Sequence, residues 1–142
     1  MEHEQGYCQT IVKLQHCPEP NEANMLRHLH RISGIGVVEE PLVFCSEKGS
    51  LYQVHLVYPR YERDLFDYCC SLEWGFTEAD VVTFMHTLLC VMARVHAAGL
   101  SHLDLKLENL FIPRGGGLCD MVVGDWGKAK RGRRQHGSAV QE

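Results

Sequence analysis

From His102 to Asn109 the sequence reads His-Leu-Asp-Leu-Lys-Leu-Glu-Asn. An aspartate, a lysine two residues on and an asparagine three beyond that stand among apolar neighbours. These types form a working set. A carboxylate can accept the proton of a hydroxyl, an ammonium can steady a negatively charged group in transfer, and an amide oxygen can ligate a hard cation. A second carboxylate, Asp125, follows sixteen residues beyond Asn109 in Gly124-Asp-Trp-Gly127. Upstream, Lys13 follows Ile11-Val12 in a β-prone run, and Glu22 opens a segment with apolar residues at 25, 26, 29 and 32.

Those groups lie far apart in sequence, so strands and helices must gather them. Tyr7–Leu14 predicts a strand carrying Lys13. Pro18, Pro20 and Asn21 interrupt it, and the spacing from Glu22 to Ile32 predicts a helix. Gly34-Ile-Gly36 predicts a turn, Val37-Val38 with Pro41–Phe44 a strand, and residues 47–50 a hairpin loop. Leu51–Tyr58 is then a second strand of a small antiparallel sheet. Thr77-Glu-Ala-Asp80 is a capping signature. The helix it opens has apolar residues at 81, 85, 88, 92 and 95, joined by 84, 89 and 91, and ends at Gly99. Residues 110–112 and 119–123 read as short strands about a glycine-rich turn. No Lys-Ser/Thr follows those glycines, so the turn is no phosphate-binding loop. Met1–Gly6 and the basic stretch from Lys128 lack periodicity and are expected to be disordered.

The 142 residues suit a single domain, 45% hydrophobic and 23% charged. A net charge of -4 argues against a whole-chain nucleic-acid binder, although Lys128, Lys130, Arg131, Arg133 and Arg134 concentrate positive charge at the end. No run approaches the ~20 apolar residues of a membrane span, and no signal-peptide pattern opens the chain. A cytoplasmic or nuclear setting is expected. Seven cysteines form no C-x-x-C, an odd count that suits a reducing compartment and gives no zinc spacing.

The octet at 102–109 resembles the catalytic loop of protein kinases, H-R-D-L-K-x-x-N, with Leu103 in the arginine's place. Asp125-Trp-Gly127 resembles their D-F-G, and Ile11-Val-Lys13 the strand whose lysine grips the nucleotide phosphates. Leu56–Tyr68 (LVYPRYERDLFDY) resembles the hinge and first large-lobe helix, and its Pro-Arg-Tyr is similar to that of serine/threonine kinases of the alphaherpesvirus type. The resemblance implies an α+β, protein-kinase-like, truncated two-lobe fold in one partial domain spanning 1–142. Residues 7–58 would be the small-lobe remnant, with a small antiparallel sheet and one helix. Residues 59–61 would be the hinge, 62–127 a partial, mainly helical large lobe, and 128–142 a basic tail.

The same resemblance implies ATP and magnesium as cofactors. Asp104 would be the base and Lys106 the phosphate-facing cation, whose type points to serine or threonine hydroxyls. Asn109 and Asp125 would ligate the metal. Lys13 would pair with Glu22, or with Glu19 in its stead, to anchor the nucleotide. Tyr58 would guard the back of the pocket, with Pro59 and Tyr61 along the adenine edge. The pattern also departs from the family. No G-x-G-x-x-G stands before Lys13, and no activation segment or A-P-E follows Gly127. Loss of the phosphate-cradling N–H groups weakens nucleotide affinity and transition-state stabilisation. Loss of the later helices leaves part of the 81–95 stripe uncovered. The expectation is thus a serine/threonine kinase-like protein acting on a protein substrate. The alternatives are a weak or inactive mimic, docking on a partner kinase through that apolar surface, and a fragment with no independent role. No specific nucleic acid and no membrane are expected as partners.

Overall fold

Lys13 sits on β1 (Thr10–Cys17), an edge strand of an antiparallel sheet of order β1-β3-β2, with β2 at Leu42–Lys48 and β3 at Leu51–Pro59. This is a computed structural model, and it describes residues 10–17, 21–32, 34–48 and 51–132. The chain is α+β. The β register puts Lys13 opposite Leu56 and Ile11 opposite Tyr58. Val54, Leu56 and Tyr58 alternate along β3 and are all buried, so that face belongs to the core. Helix α1 (Asn21–Leu29) buries Ala23, Leu26 and Leu29 and also the charged Glu22.

A second sheet, β4-β6-β7, joins Arg63–Asp64, Leu110–Ile112 and Val122–Val123. Asp64 caps the six-residue helix α2 (Leu65–Cys70), accepting from the Asp67 N–H at 2.7 Å. Helix α3 (Glu78–Ala97) starts at the expected capping box: the Asp80 N–H donates to Thr77 Oγ1 at 3.1 Å, and the Thr77 N–H to Asp80 Oδ2 at 2.9 Å. The Thr77 N–H and then the Thr77 hydroxyl, both donating to Asp80 Oδ2, hold the Asp80 carboxyl below its ordinary value. Gly99, at φ 73°, turns the chain out of α3 into β5 (Leu100–Ser101), which pairs with β8 (Lys130–Arg131). No described helix is long and apolar enough to cross a membrane.

Several expectations need correcting. β1 runs three residues past Leu14, because pairing with β3 rather than the apolar run sets its end; residues 7–9 lie outside the described residues. Val37-Val38 is not part of β2. Gly36, at φ 75°, turns the chain so that Val37 bridges Val123 in parallel and the Val38 N–H donates to Val123 O at 3.0 Å. A Cβ at Gly36 would lie 2.6 Å from Val91 Cγ2, so this turn admits no larger residue. Residues 119–123 form a 3-10 turn at Leu118–Asp120 before the two-residue β7. The helix after the Pro-Arg-Tyr begins only at Leu65, since Arg63–Asp64 pair with Ile112 and Phe111. The stretch expected to be a disordered tail begins instead with residues that form β8; residues 133–142 lie outside the described residues. The stripe on α3 divides. Phe84, Val91, Met92 and Val95 are buried, whereas Val81, Val82, Met85 and Leu89 face outward.

Candidate functional site

Glu22 is 2% exposed, and its carboxylate is surrounded by donors. Lys13 Nζ lies 2.7 Å from its Oε2, Gln15 Nε2 2.6 Å from the same oxygen, and the Tyr58 hydroxyl donates to Oε1 at 2.7 Å. Alternation on β1 aims Lys13 and Gln15 at the same side, and the first turn of α1 brings Glu22 to meet them. Lys13 Nζ also reaches Asp125 Oδ1 at 2.6 Å, joining residues 112 positions apart. Burial opposes charge on Lys13, but hydrogen bonds to Asp125 and Glu22 outweigh it and raise the ammonium above its ordinary value. Burial, then the Glu22 charge, pushes the Tyr58 hydroxyl up, so it stays a proton donor. Glu19 lies outside the described residues.

The loop from His102 to Asn109 is fastened to the Asp125 turn. His102 is buried; its Nε2–H donates to Gly124 O at 2.7 Å, its Nδ1 accepts from the Asp104 N–H, and its ring meets Trp126 edge-on at 4.5 Å. Asn109 Nδ2 donates to the Asp104 carbonyl at 2.8 Å, and the Gly124 N–H to the Asn109 carbonyl at 2.8 Å. Two non-glycine residues here adopt left-handed backbone, Leu103 at φ 65° and Asp125 at φ 55°. Such conformations cost about 1 kcal/mol or more and persist where the surroundings over-determine them. Lys128 Nζ lies 3.1 Å from Asp104 Oδ1, and that contact lowers the Asp104 carboxyl, with Lys106 adding to the effect.

Between the two sheets opens a cleft of about 320 Å³. Ile11, Val12, Val38, Tyr58, Pro59, Tyr61 and Phe111 form its apolar walls, and Lys13, Glu22, Asn109 and Asp125 its polar part. That is the usual make-up of a small-molecule site: mostly apolar, with a few convergent polar groups. The residues singled out in the sequence therefore converge, with two exceptions. Asp104 reaches the cleft only through Asn109, and Lys106 is exposed outside its lining.

No family model matches the chain. Curated relatives do match. Mitogen-activated protein kinase 11 of Arabidopsis thaliana is 28% identical over 109 residues, covering 77% of this chain and 28% of its own length. The serine/threonine-protein kinase US3 homolog of Varicella-zoster virus is 32% identical over 74 residues, 52% of this chain and 18% of its own. Mitogen-activated protein kinase 4 of Rattus norvegicus is 35% identical over 86 residues, 58% and 30% respectively. The chain is related to the serine/threonine protein kinases. It spans less than a third of the length of these kinases. Herpesvirus US3 kinases are among the matches, in keeping with the Pro-Arg-Tyr likeness, and MAP kinases match as well.

For a kinase relative, the donor set suits magnesium with a nucleotide better than a resident metal. Among the described residues no three His, Cys, Asp or Glu side chains cluster as a metal cage. Magnesium is commonly held by one or two protein oxygens plus substrate phosphates. Asp125 and Asn109 offer that: both line the cleft, and Asn109 Oδ1 accepts no hydrogen bond among the described residues. Four contributors escaped the sequence reading. Gln15 donates to Glu22, and Phe111 packs a cleft wall against Tyr61 at 5.5 Å. Asn21 Nδ2 reaches Gly127 O and Ala129 O at 3.2 and 3.3 Å, and Lys128 reaches Asp104. Gln15 was legible in principle, two residues from Lys13 on one strand face; the others depend on long-range folding.

Proposed function

We propose that the chain binds Mg-ATP in this cleft and supports phosphoryl transfer to a serine or threonine hydroxyl of a protein substrate, in a small two-lobe arrangement hinged at residues 59–61. The observation that carries the proposal is Lys13 bridging Glu22 and Asp125. It brings residues 13, 22 and 125 together around one ammonium at the polar part of the cleft, where nucleotide phosphates would need a cation.

The apolar walls would take the adenine, with Pro59 and Tyr61 along its edge. Lys13, oriented by Glu22, faces the phosphates. Asn109 and Asp125 would hold the magnesium, which would supply neutralisation of negative charge on the phosphates. Asp104 accepts the proton of the incoming hydroxyl, and its lowered carboxyl keeps it ionised at neutral pH. Lys106 approaches from solvent to steady the group in transfer. A second reading, a mimic that docks on and regulates another kinase, is favoured by the exposed apolar side of α3 at Val81, Val82, Met85 and Leu89.

Thermal denaturation tests nucleotide binding. A ligand at a hundred times its Kd stabilises by about 2.7 kcal/mol, so millimolar Mg-ATP raises the midpoint, and Asp125→Asn abolishes the rise. An unchanged midpoint in the parent chain overturns the proposal. Radioactive phosphate transfer that disappears in Asp104→Ala establishes turnover, and binding without transfer favours the mimic.

A further inference from the structure

Beside the loop that carries Asp104 runs an open groove of about 440 Å³, lined by Asn21, Leu103, Gly127, Lys128, Ala129 and Lys130. It shares no residue with the nucleotide cleft. The pairing of Ser101 with Lys130 and Leu100 with Arg131 holds the basic run against the strand that leads into the loop. Three features of the groove stand unexplained by the fold. Lys130 is exposed and makes no ion pair among the described residues. Lys128 is 68% exposed and leans onto Asp104, its one carboxylate partner among the described residues. Leu103 holds an apolar side chain 58% exposed from a left-handed backbone, a conformation poorly suited to leucine.

We infer that this groove takes an acidic peptide segment bearing the acceptor serine or threonine: its carboxylates engage Lys128 and Lys130, and an apolar side chain rests on Leu103. The acceptor role rests on the function proposed above; the binding does not. Occupancy is coupled to Asp104, because a carboxylate on the segment competes for Lys128 and releases the Asp104 oxygen towards the hydroxyl. Exposed Lys106 adds positive charge on the same loop. A nucleic acid fits less well. The chain carries a net charge of -4, and the groove offers no aromatic face for a base.

Fluorescence anisotropy of the full chain with labelled peptides tests this. The probes are a Ser peptide flanked by Asp/Glu and one Leu, its neutral and Lys-flanked counterparts, a Ser→Ala version, and an oligonucleotide of equal charge. The acidic peptide binds, more tightly at low salt, and its Ser→Ala version equally well. Exposed ion pairs are individually weak, so reversing both in Lys128→Glu/Lys130→Glu weakens binding roughly tenfold. The same variant gains affinity for the Lys-flanked peptide, a gain that a misfolded chain cannot show. Equal binding of acidic and neutral peptides overturns the inference, as does an oligonucleotide bound as tightly with the same sensitivity to reversal. A Mg-ATP midpoint shift without peptide binding defeats only this inference. Peptide binding without that shift defeats only the nucleotide reading.

Discussion

Glu22 satisfies three donors from two strands with one carboxylate, and its removal leaves two of them without it as acceptor. Lys13 keeps Asp125, but the buried Tyr58 hydroxyl and the half-buried Gln15 amide lose this acceptor. An orphaned buried polar group costs about 1–3 kcal/mol. Glu22→Ala should therefore lower unfolding stability by roughly 2–3 kcal/mol in urea, and Glu22→Gln by less, because an amide oxygen still accepts. Two charges titrate in opposite directions. The Asp104 carboxyl lies below its ordinary 3.8, so its stabilising contribution is present above 3.8 and is lost as pH falls through the lowered value. Lys13 lies above 10.5, so its contribution is complete below 10.5 and is lost only as pH rises through the raised value. Neither changes near neutrality. Carboxyl NMR should place the Asp104 midpoint below 3.8, and Lys128→Ala should return it towards 3.8. A midpoint unmoved by that substitution would mean that Lys128 does not hold the carboxylate.

Secondary elements were legible where local chemistry decides them. Thr77 and Asp80 announce the start of α3, and the capping box forms as read. Thr77→Ala should cost about 1 kcal/mol, the usual worth of such a cap, read as a fall in urea midpoint with unchanged slope; Thr77→Ser should cost little. The β2–β3 hairpin was equally legible, from the turn residues 47–50, and the small antiparallel sheet expected with the Lys13 strand forms. β4 and β8 were not. Each is two residues long, and each exists only because a distant strand, β6 or β5, offers it an edge. Val37-Val38 failed for a related reason: β-prone residues read as part of the nearest strand, while Gly36 diverts them to Val123. The site followed the same division. Motif residues identified the cleft, but the contact of Lys128 with Asp104 beside it was not announced, because nothing local distinguishes Lys128 from a solvated basic run.

At the scale of the molecule, α3 is the element whose two sides test how the chain completes its core. Met92 is 6% exposed and packs in the core cluster, whereas Leu89, less than one turn away, is 61% exposed. Met92→Ala leaves a cavity and should cost roughly 2–4 kcal/mol. Leu89→Ala removes little from a packed environment and should stay within about 0.5 kcal/mol. The contrast holds only for an isolated chain. If Leu89 is covered in solution by a second molecule, Leu89→Ala also destabilises, and the thermal midpoint of the parent chain rises with protein concentration, as mass action requires. Melts across a hundredfold concentration range therefore separate the cases. A concentration-independent midpoint with a silent Leu89→Ala leaves this side of α3 open to a partner kinase, the surface that the regulatory reading needs. A concentration-dependent midpoint together with a destabilising Leu89→Ala shows that the side is already taken by self-association, and removes that reading's main support.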